Sequence, residues 1–239
     1  MTALIRRGGF LAGLSIALAA LAQGQELGPE ELIRKMTVEV LDAIRADKQL
    51  AAGDRQKALK LAEEKVLPHI NFTEAARIAV GPTWFQATPA QQTQLALQFR
   101  RMLIRVYSSA ISAYSGQTMK VLPVQMDPDD TRATVRNEYL RPGQAPILVV
   151  YSMRKVSEGW KIYDVSFQGV SLVLAYRAEF AAILKKDGID GLIKLMMEKN
   201  APVPLSGEDV RRTALCGARP TIQRTHILTP WGDLSGSRS

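Results

Sequence analysis

Asp164 is the acid in this sequence best placed to do chemistry. It stands in the run Trp160-Lys161-Ile162-Tyr163-Asp164-Val165-Ser166-Phe167, among large apolar residues. Aimed into an apolar cavity, its carboxyl would rise in pKa and serve as a general base. Aimed at a neighbouring strand or helix end, it would be a structural acceptor of hydrogen bonds. No second acid, base or oxyanion donor can be placed beside it, which favours the structural role. Just beyond, Gly169-Val170-Ser171-Leu172-Val173 follows a nucleophile elbow for three positions. Its fifth residue is valine where that motif needs glycine, so Ser171 is not expected to be a nucleophile. Histidine occurs only at His69 and His226. His69 follows a helix-ending proline, with no carboxylate or cysteine at ligand spacing, and reads as a structural or surface histidine. There is no Walker loop, dinucleotide fingerprint or Cys/His cluster. The sequence therefore predicts no catalytic centre and no metal centre.

The larger excess is apolar. From Tyr163 to Phe180 an alternating strand meets Gly169 and becomes a greasy helical run ending in Tyr176-Arg177. Tyr176, Phe180, Ile183 and Leu184 form a core stripe by spacing, and Val170, Val173 and Leu174 add a second side to the start of that helix. A core would explain this, and so would a cavity for something hydrophobic; periodicity does not choose.

The elements that must position these residues are legible in outline. A helix follows Gly28-Pro29, with Leu32, Ile33, Met36, Val40, Leu41 and Ile44 on its apolar face. A second runs from the N-cap Asp54 to Leu67, and a short third starts at Asn71 and stops at Gly81-Pro82. A fourth opens on Thr88-Pro89 and continues to about Tyr114, carrying a stripe broad enough to be covered on more than one side. After Gly116 the period changes to two. Strands are predicted at Thr118–Met126, Thr131–Arg141, Ile147–Val156 and Trp160–Phe167, joined by short turns and so antiparallel. Gly169 is expected to begin the last helical region, broken at Gly188 and ending near Asn200. Helices, then a four-stranded meander, then helices make an α+β domain.

The N-terminus addresses the chain. Arg6-Arg7, the apolar run Phe10 to Ala22 and the closing Ala20-Leu21-Ala22 read as a cleavable signal peptide over residues 1–22, too short to span a bilayer. Residues 23–212 form the domain, and residues 213–239, rich in Gly, Pro, Ser and Arg, read as a disordered tail. Loss of Arg6 and Arg7 lowers the net charge from +8 to +6. That balance suits anionic lipid surfaces. The bases form no run and do not interleave with aromatics, so a nucleic-acid platform is not expected. Cys216 is the only cysteine, which leaves an exported chain without an internal disulfide.

Four segments together resemble one family. They are Gly159-Trp160-Lys161-Ile162-Tyr163-Asp164-Val165, Gly169-Val170-Ser171-Leu172-Val173, Tyr176-Arg177-Ala178-Glu179-Phe180 and Gly188-Ile189-Asp190-Gly191-Leu192. With Asn71-Phe72-Thr73 and Ala79-Val80-Gly81-Pro82-Thr83-Trp84, they resemble the MlaC, or toluene-tolerance, family of periplasmic phospholipid-binding proteins. The resemblance runs from about Glu30 to Asn200. It departs at Asn71, where aspartate is common, and after Arg212.

The resemblance implies an NTF2-like fold, a curved four-stranded antiparallel sheet with flanking helices enclosing a deep apolar pocket. It implies a monomeric periplasmic carrier without catalytic activity or cofactor, holding phospholipid as cargo. Its partners would be an outer-membrane lipoprotein complex and an inner-membrane ABC transporter complex bearing an MCE-domain ring, and its work the upkeep of outer-membrane lipid asymmetry. Expected lipid-binding residues are Tyr107 and Ile111 on the long helix, and Val149, Tyr151 and Met153 on the third strand. Ile162, Val170, Val173 and Tyr176 join them. Arg177 would stand at the mouth, meeting a phosphate or pairing with Glu179 or Glu198. The alternative is an NTF2-like enzyme on a hydrophobic small molecule, with Asp164 as general base.

Overall fold

The computed structural model describes residues 26–111, 118–127, 129–140, 143 and 145–201, without the side chains of 107–111. The expected signal peptide and tail lie outside the described residues. Among the described residues six α-helices and five strands follow one another as helices, meander, helix: α1 Pro29–Ala46, α2 Lys48–Ala51, α3 Arg55–Lys65, α4 Phe72–Val80 and α5 Pro89–Ile111. Then come β1 Thr118–Val121, β2 Arg132–Leu140, β3 Ile147–Val156, β4 Gly159–Phe167, β5 Val170–Ser171 and α6 Arg177–Asn200.

Local chemistry sets most helix starts. Pro29 begins α1 with Glu30 and Glu31 in its first turn, where the helix dipole favours acids. Asp54 caps α3 by accepting from Gln56 and Lys57 N–H, at 2.9 and 3.0 Å. Asn71 caps α4 by accepting from the Glu74 N–H at 2.9 Å, work that an aspartate would do equally well. Thr88 and Gln91 cap α5 reciprocally: the Thr88 N–H donates to Gln91 Oε1, and the Gln91 N–H to Thr88 Oγ1.

The sheet is antiparallel throughout, in the order β1-β2-β3-β4-β5. It has one strand more than the four expected. Gln168 and Gly169 both take positive φ, 48° and 83°, and turn the chain back so that Val170 and Ser171 pair with Phe167 and Ser166. Val170 is thus on a strand, and the last helix begins at Arg177 rather than near Gly169. A two-residue strand has no period to read, which is why this hairpin was taken for the head of a helix. β1 is shorter than expected and stops at Val121.

Register sorts the strands into faces. Ala133, Val135, Asn137 and Tyr139 of β2 face the same way as Met153, Tyr151, Val149 and Ile147 of β3, their respective partners. Ser152 of β3 pairs with Asp164 of β4 while Met153 pairs with Ile162, so Tyr163 is an extra residue in β4, a bulge. The bulge keeps Val165 and Phe167 on the apolar face together with Trp160 and Ile162. The outer edge of β4 is closed twice, by β5 and by a parallel bridge from Ile70 to Ile162, with the Asn71 N–H donating to the Ile162 carbonyl at 2.7 Å.

α6 breaks at Gly188, φ 69° and ψ −168°. Glu179 and Lys199 nevertheless form an ion pair. In a straight helix twenty residues would separate them by about 30 Å, so the two halves fold back into a hairpin whose reversal is Gly188. Near that reversal a Cβ on Gly191 would stand 2.3 Å from Asp187 Cβ. Gly191→Ala should therefore lower unfolding free energy by about 1–3 kcal/mol in urea titration, the usual cost of forced overpacking. Gly28→Ala, where nothing lies within 4 Å, should leave stability nearly unchanged.

Candidate functional site

The apolar interior falls into separate clusters. The first lies on the sheet: Val121, Ala133, Val135, Ile147, Val149, Tyr151, Met153, Trp160 and Ile162, with Ile33 and Met36 of α1 packed on them. Met119, Tyr139, Val165 and Phe167 join it half-buried. The second is helical, built from Ala75, Ala76 and Ala79 of α4, Leu95, Phe99 and Met102 of α5, and Phe180, Leu192 and Met196 of α6, with Trp84 and Val173. Phe99 sits at its centre, edge-on to Tyr176 at 5.5 Å and to Phe180 at 5.6 Å. A third, minor cluster holds α1, α2 and α3 together through Ile44, Leu50, Ala58 and Leu61.

The expected lipid-binding residues divide between these clusters. Val149, Tyr151, Met153 and Ile162 come together on the sheet face. Val173 is buried in the helical cluster, and Tyr176 packs against it. Val170 is 46% exposed on β5. Tyr107 and Ile111 belong to the end of α5, and their side chains lie outside the description. The Arg177 guanidinium lies against Gly81, where a Cβ would meet its Nη2 at 3.3 Å. Among the described residues neither Glu179 nor Glu198 pairs with it; Glu179 is taken by Lys199.

The sheet face is not uniformly apolar. The Tyr139 and Tyr151 hydroxyls meet at 3.2 Å. Burial pushes the Tyr151 phenol well above its ordinary pKa, with Tyr139 adding to the shift, so it stays neutral at any working pH. Asn137 is fully buried, across from Val121 of β1 and Val149 of β3; among the described residues its Nδ2 donates only to the Met119 sulfur at 3.3 Å, and its Oδ1 has no partner. Thr37 Oγ1 on α1 lies near Tyr151 but outside hydrogen-bonding geometry. Asn137 was not among the expected site residues, although it shares the parity of Val135 and Tyr139 and strict alternation puts it on their face.

Asp164 is structural in its contacts. Ser171 Oγ donates to its Oδ2 at 2.6 Å and the Val173 N–H to its Oδ1 at 3.1 Å, while Ser171 Oγ accepts from the Leu174 N–H. The carboxylate thus ties β4 to the turn that leads into α6, and the elbow-like Ser171 is its partner. Among the described residues no group of three His, Cys, Asp or Glu could hold a metal ion.

A cleft of about 450 Å³ opens between the start of α4, α5 and the β3–β4 hairpin. Ile70, Phe72, Leu97 and Val156 give it an apolar lining, with Arg100 and Lys161 on its walls. None of the expected lipid-binding residues lines it.

Sequence reasoning missed the ion cluster beside the β4 edge. The Glu74 carboxylate, about nine-tenths buried, accepts from Arg77 Nε and Nη2, both at 2.6 Å, and pairs with Arg154 of β3 at 3.0 Å. The Arg77 hydrogen bonds hold its carboxyl below the ordinary value against the opposing cost of burial. The spacing Glu74–Arg77 was visible in the sequence as an i,i+3 pair; Arg154 was not, because only the register brings it there.

The MlaC protein family matches residues 34–198. The intermembrane phospholipid transport system binding protein MlaC of Haemophilus influenzae is 26% identical over 184 residues, covering 75% of this chain and 85% of its own. Toluene tolerance protein ttg2D of Pseudomonas putida is 25% identical over 194 residues, covering 80% and 87%. A phospholipid-binding protein from Ralstonia solanacearum, solved in complex with a phospholipid at 1.53 Å, superposes with a TM-score of 0.66 at 32% identity. It covers 73% of this chain and 97% of its own.

Two outcomes follow from these contacts. Asp164→Ala should cost about 1–2 kcal/mol, by stripping partners from Ser171 and the Val173 N–H, and should speed proteolysis between β5 and α6. Glu74→Gln should cost about 2 kcal/mol, since it leaves two guanidiniums facing each other. A lowered carboxyl contributes stability above its unfolded value and loses it as pH falls through the folded one. Urea titrations of Glu74→Gln and the parent should therefore differ at neutral pH and converge only below about pH 4.3.

Proposed function

The chain belongs to the MlaC family, and on that premise we propose that it is a periplasmic phospholipid carrier. It takes glycerophospholipid from one membrane complex and delivers it to another, an outer-membrane lipoprotein complex and an inner-membrane ABC transporter with an MCE-domain ring, and so maintains outer-membrane lipid asymmetry. The observation that carries the reading is the divided interior. Sheet and helices each build an apolar cluster, and each keeps half-buried apolar side chains at its margin: Tyr139, Val165 and Phe167 on the sheet, Leu103 and Tyr176 on the helices. Acyl chains lying between the two would complete both. Among the described residues no helix is long and apolar enough to cross a membrane.

Energetics shape such a carrier. Burying ~30 methylenes at ~0.8 kcal/mol each is worth roughly 24 kcal/mol relative to water, beyond what non-covalent affinity sustains. The lipid comes from a bilayer as apolar as the protein interior, so the net transfer is close to zero and release is possible. A tight polar clamp on the headgroup would trap cargo. The exposed Arg177, against Gly81 and without an acid partner among the described residues, is the cation offered to a phosphate at the rim.

Phospholipid extracted from purified protein should approach a stoichiometric amount, read by native mass spectrometry and phosphorus assay; a folded protein that returns none and takes up none from vesicles would refute the carrier. Val165→Glu should give a folded protein, by circular dichroism, that retains severalfold less lipid. A closed dry core would unfold instead.

A further inference from the structure

The register sets like charges side by side on the sheet face opposite the apolar one. Arg132 of β2 lies directly across from Arg154 of β3, and Arg154 across from Lys161 of β4. Directly opposed like charges destabilise a strand pair. Arg136 follows two residues along the same face of β2, and Lys120 of β1 stands opposite Glu138. Arg77 of α4 reaches the same region beside Tyr163.

Against these six cations the face presents Glu74, Glu138 and Asp164. Glu74 is consumed by Arg77 and Arg154, and Asp164 by Ser171 and the Val173 N–H. Asp129 and Asp130, before β2, form no ion pair with Arg132 among the described residues, and Asp130 accepts instead from the Asp127 N–H. Arg132 and Arg136 are exposed, and among the described residues neither forms an ion pair, Arg132 acting on the Glu74 carboxylate only from a distance. The fold therefore carries surplus positive charge on this face, at a cost to the strand pairing.

We infer that this β2–β3–β4 face is a docking surface for an anionic phospholipid bilayer. Four of the six cations are arginines, whose planar fork matches phosphate oxygens. Glu74 holds two of them in place yet leaves the Arg77 and Arg154 side chains 32% and 31% exposed. The row crosses three strands at about 4.8 Å spacing, so it meets a surface bearing many phosphates rather than a single anion. The inference concerns approach to a membrane and stands whether or not the cargo is phospholipid.

The test is flotation of the full chain with vesicles of phosphatidylcholine containing one-quarter phosphatidylglycerol, and with pure phosphatidylcholine, at low and physiological salt. The parent should bind the anionic vesicles alone, and more weakly as salt rises. Arg132→Gln/Arg136→Gln should weaken that binding roughly thirtyfold, as expected for two cations near an anionic surface. Melting temperature should rise slightly, because the Arg132–Arg154 repulsion is relieved, and co-purified lipid should be unchanged. Equal binding to both vesicle types, or an unaffected double variant, overturns the inference. So does a parent that ignores vesicles while the double variant loses capture by the membrane complexes, which would assign the face to an acidic protein partner. A protein that docks on anionic vesicles but holds no lipid keeps this surface and removes the carrier reading instead.

Discussion

Glu74 joins α4 to the sheet through two cations that would otherwise repel each other. Its carboxylate bonds Arg77 on its own helix and Arg154 on β3. Remove that one negative charge and α4 meets the sheet as cation against cation. The position of the helical cluster over or away from the sheet depends on this joint, because α5 and α6 pack on α4 and on each other rather than on the strands. The neighbouring backbone bond from Asn71 to Ile162 fixes the same junction in register. The two apolar clusters of the interior thus meet at a polar junction rather than through one continuous apolar core.

The polar atoms on the sheet face point to the same balance. A buried donor or acceptor without a partner costs about 1–3 kcal/mol, and Thr37 and Asn137 each leave one unmet. Valine and leucine would fit a solid core better. The face is therefore apolar without being optimised for dryness, and Tyr139 and Tyr151 satisfy each other instead of reaching solvent.

Much of this was legible in the sequence, where one local rule decided the outcome. Asp54, Asn71 and Thr88 announced helix starts because capping needs only neighbours. Alternation in β2 and β3 placed Val149, Tyr151 and Met153 on one face because the strand period is two. The break at Gly188 was legible because glycine readily takes the positive φ that ends a helix, though the hairpin it produces was not. The β5 hairpin was not, since two residues carry no period and Gln168 takes a left-handed conformation without being glycine. The spacing of Tyr176 and Phe180 announced a shared core stripe, and the two rings do meet around Phe99, a partner that spacing alone could not name. The cationic row was invisible because charges on different strands meet only once register is known.

The bridge at the β4 edge also orders the way the chain assembles. The meander pairs each strand with the next and closes only short loops, whereas α6 reaches back to α5 across the whole meander, Gln91 meeting Asp190, 99 residues on, and Asn200 donating to the Gln98 carbonyl 102 residues back. The contact from Lys161 to Pro68 spans 93 residues, and Ile70 meets Ile162 over a similar distance. Its loop-closure entropy must be met before any contact rewards it. A chain threaded N-terminus first presents Ile70 and Asn71 long before their strand exists. Those residues wait, exposed, until β4 arrives, and the face of α5 waits longer still, until α6 returns to close the helical cluster.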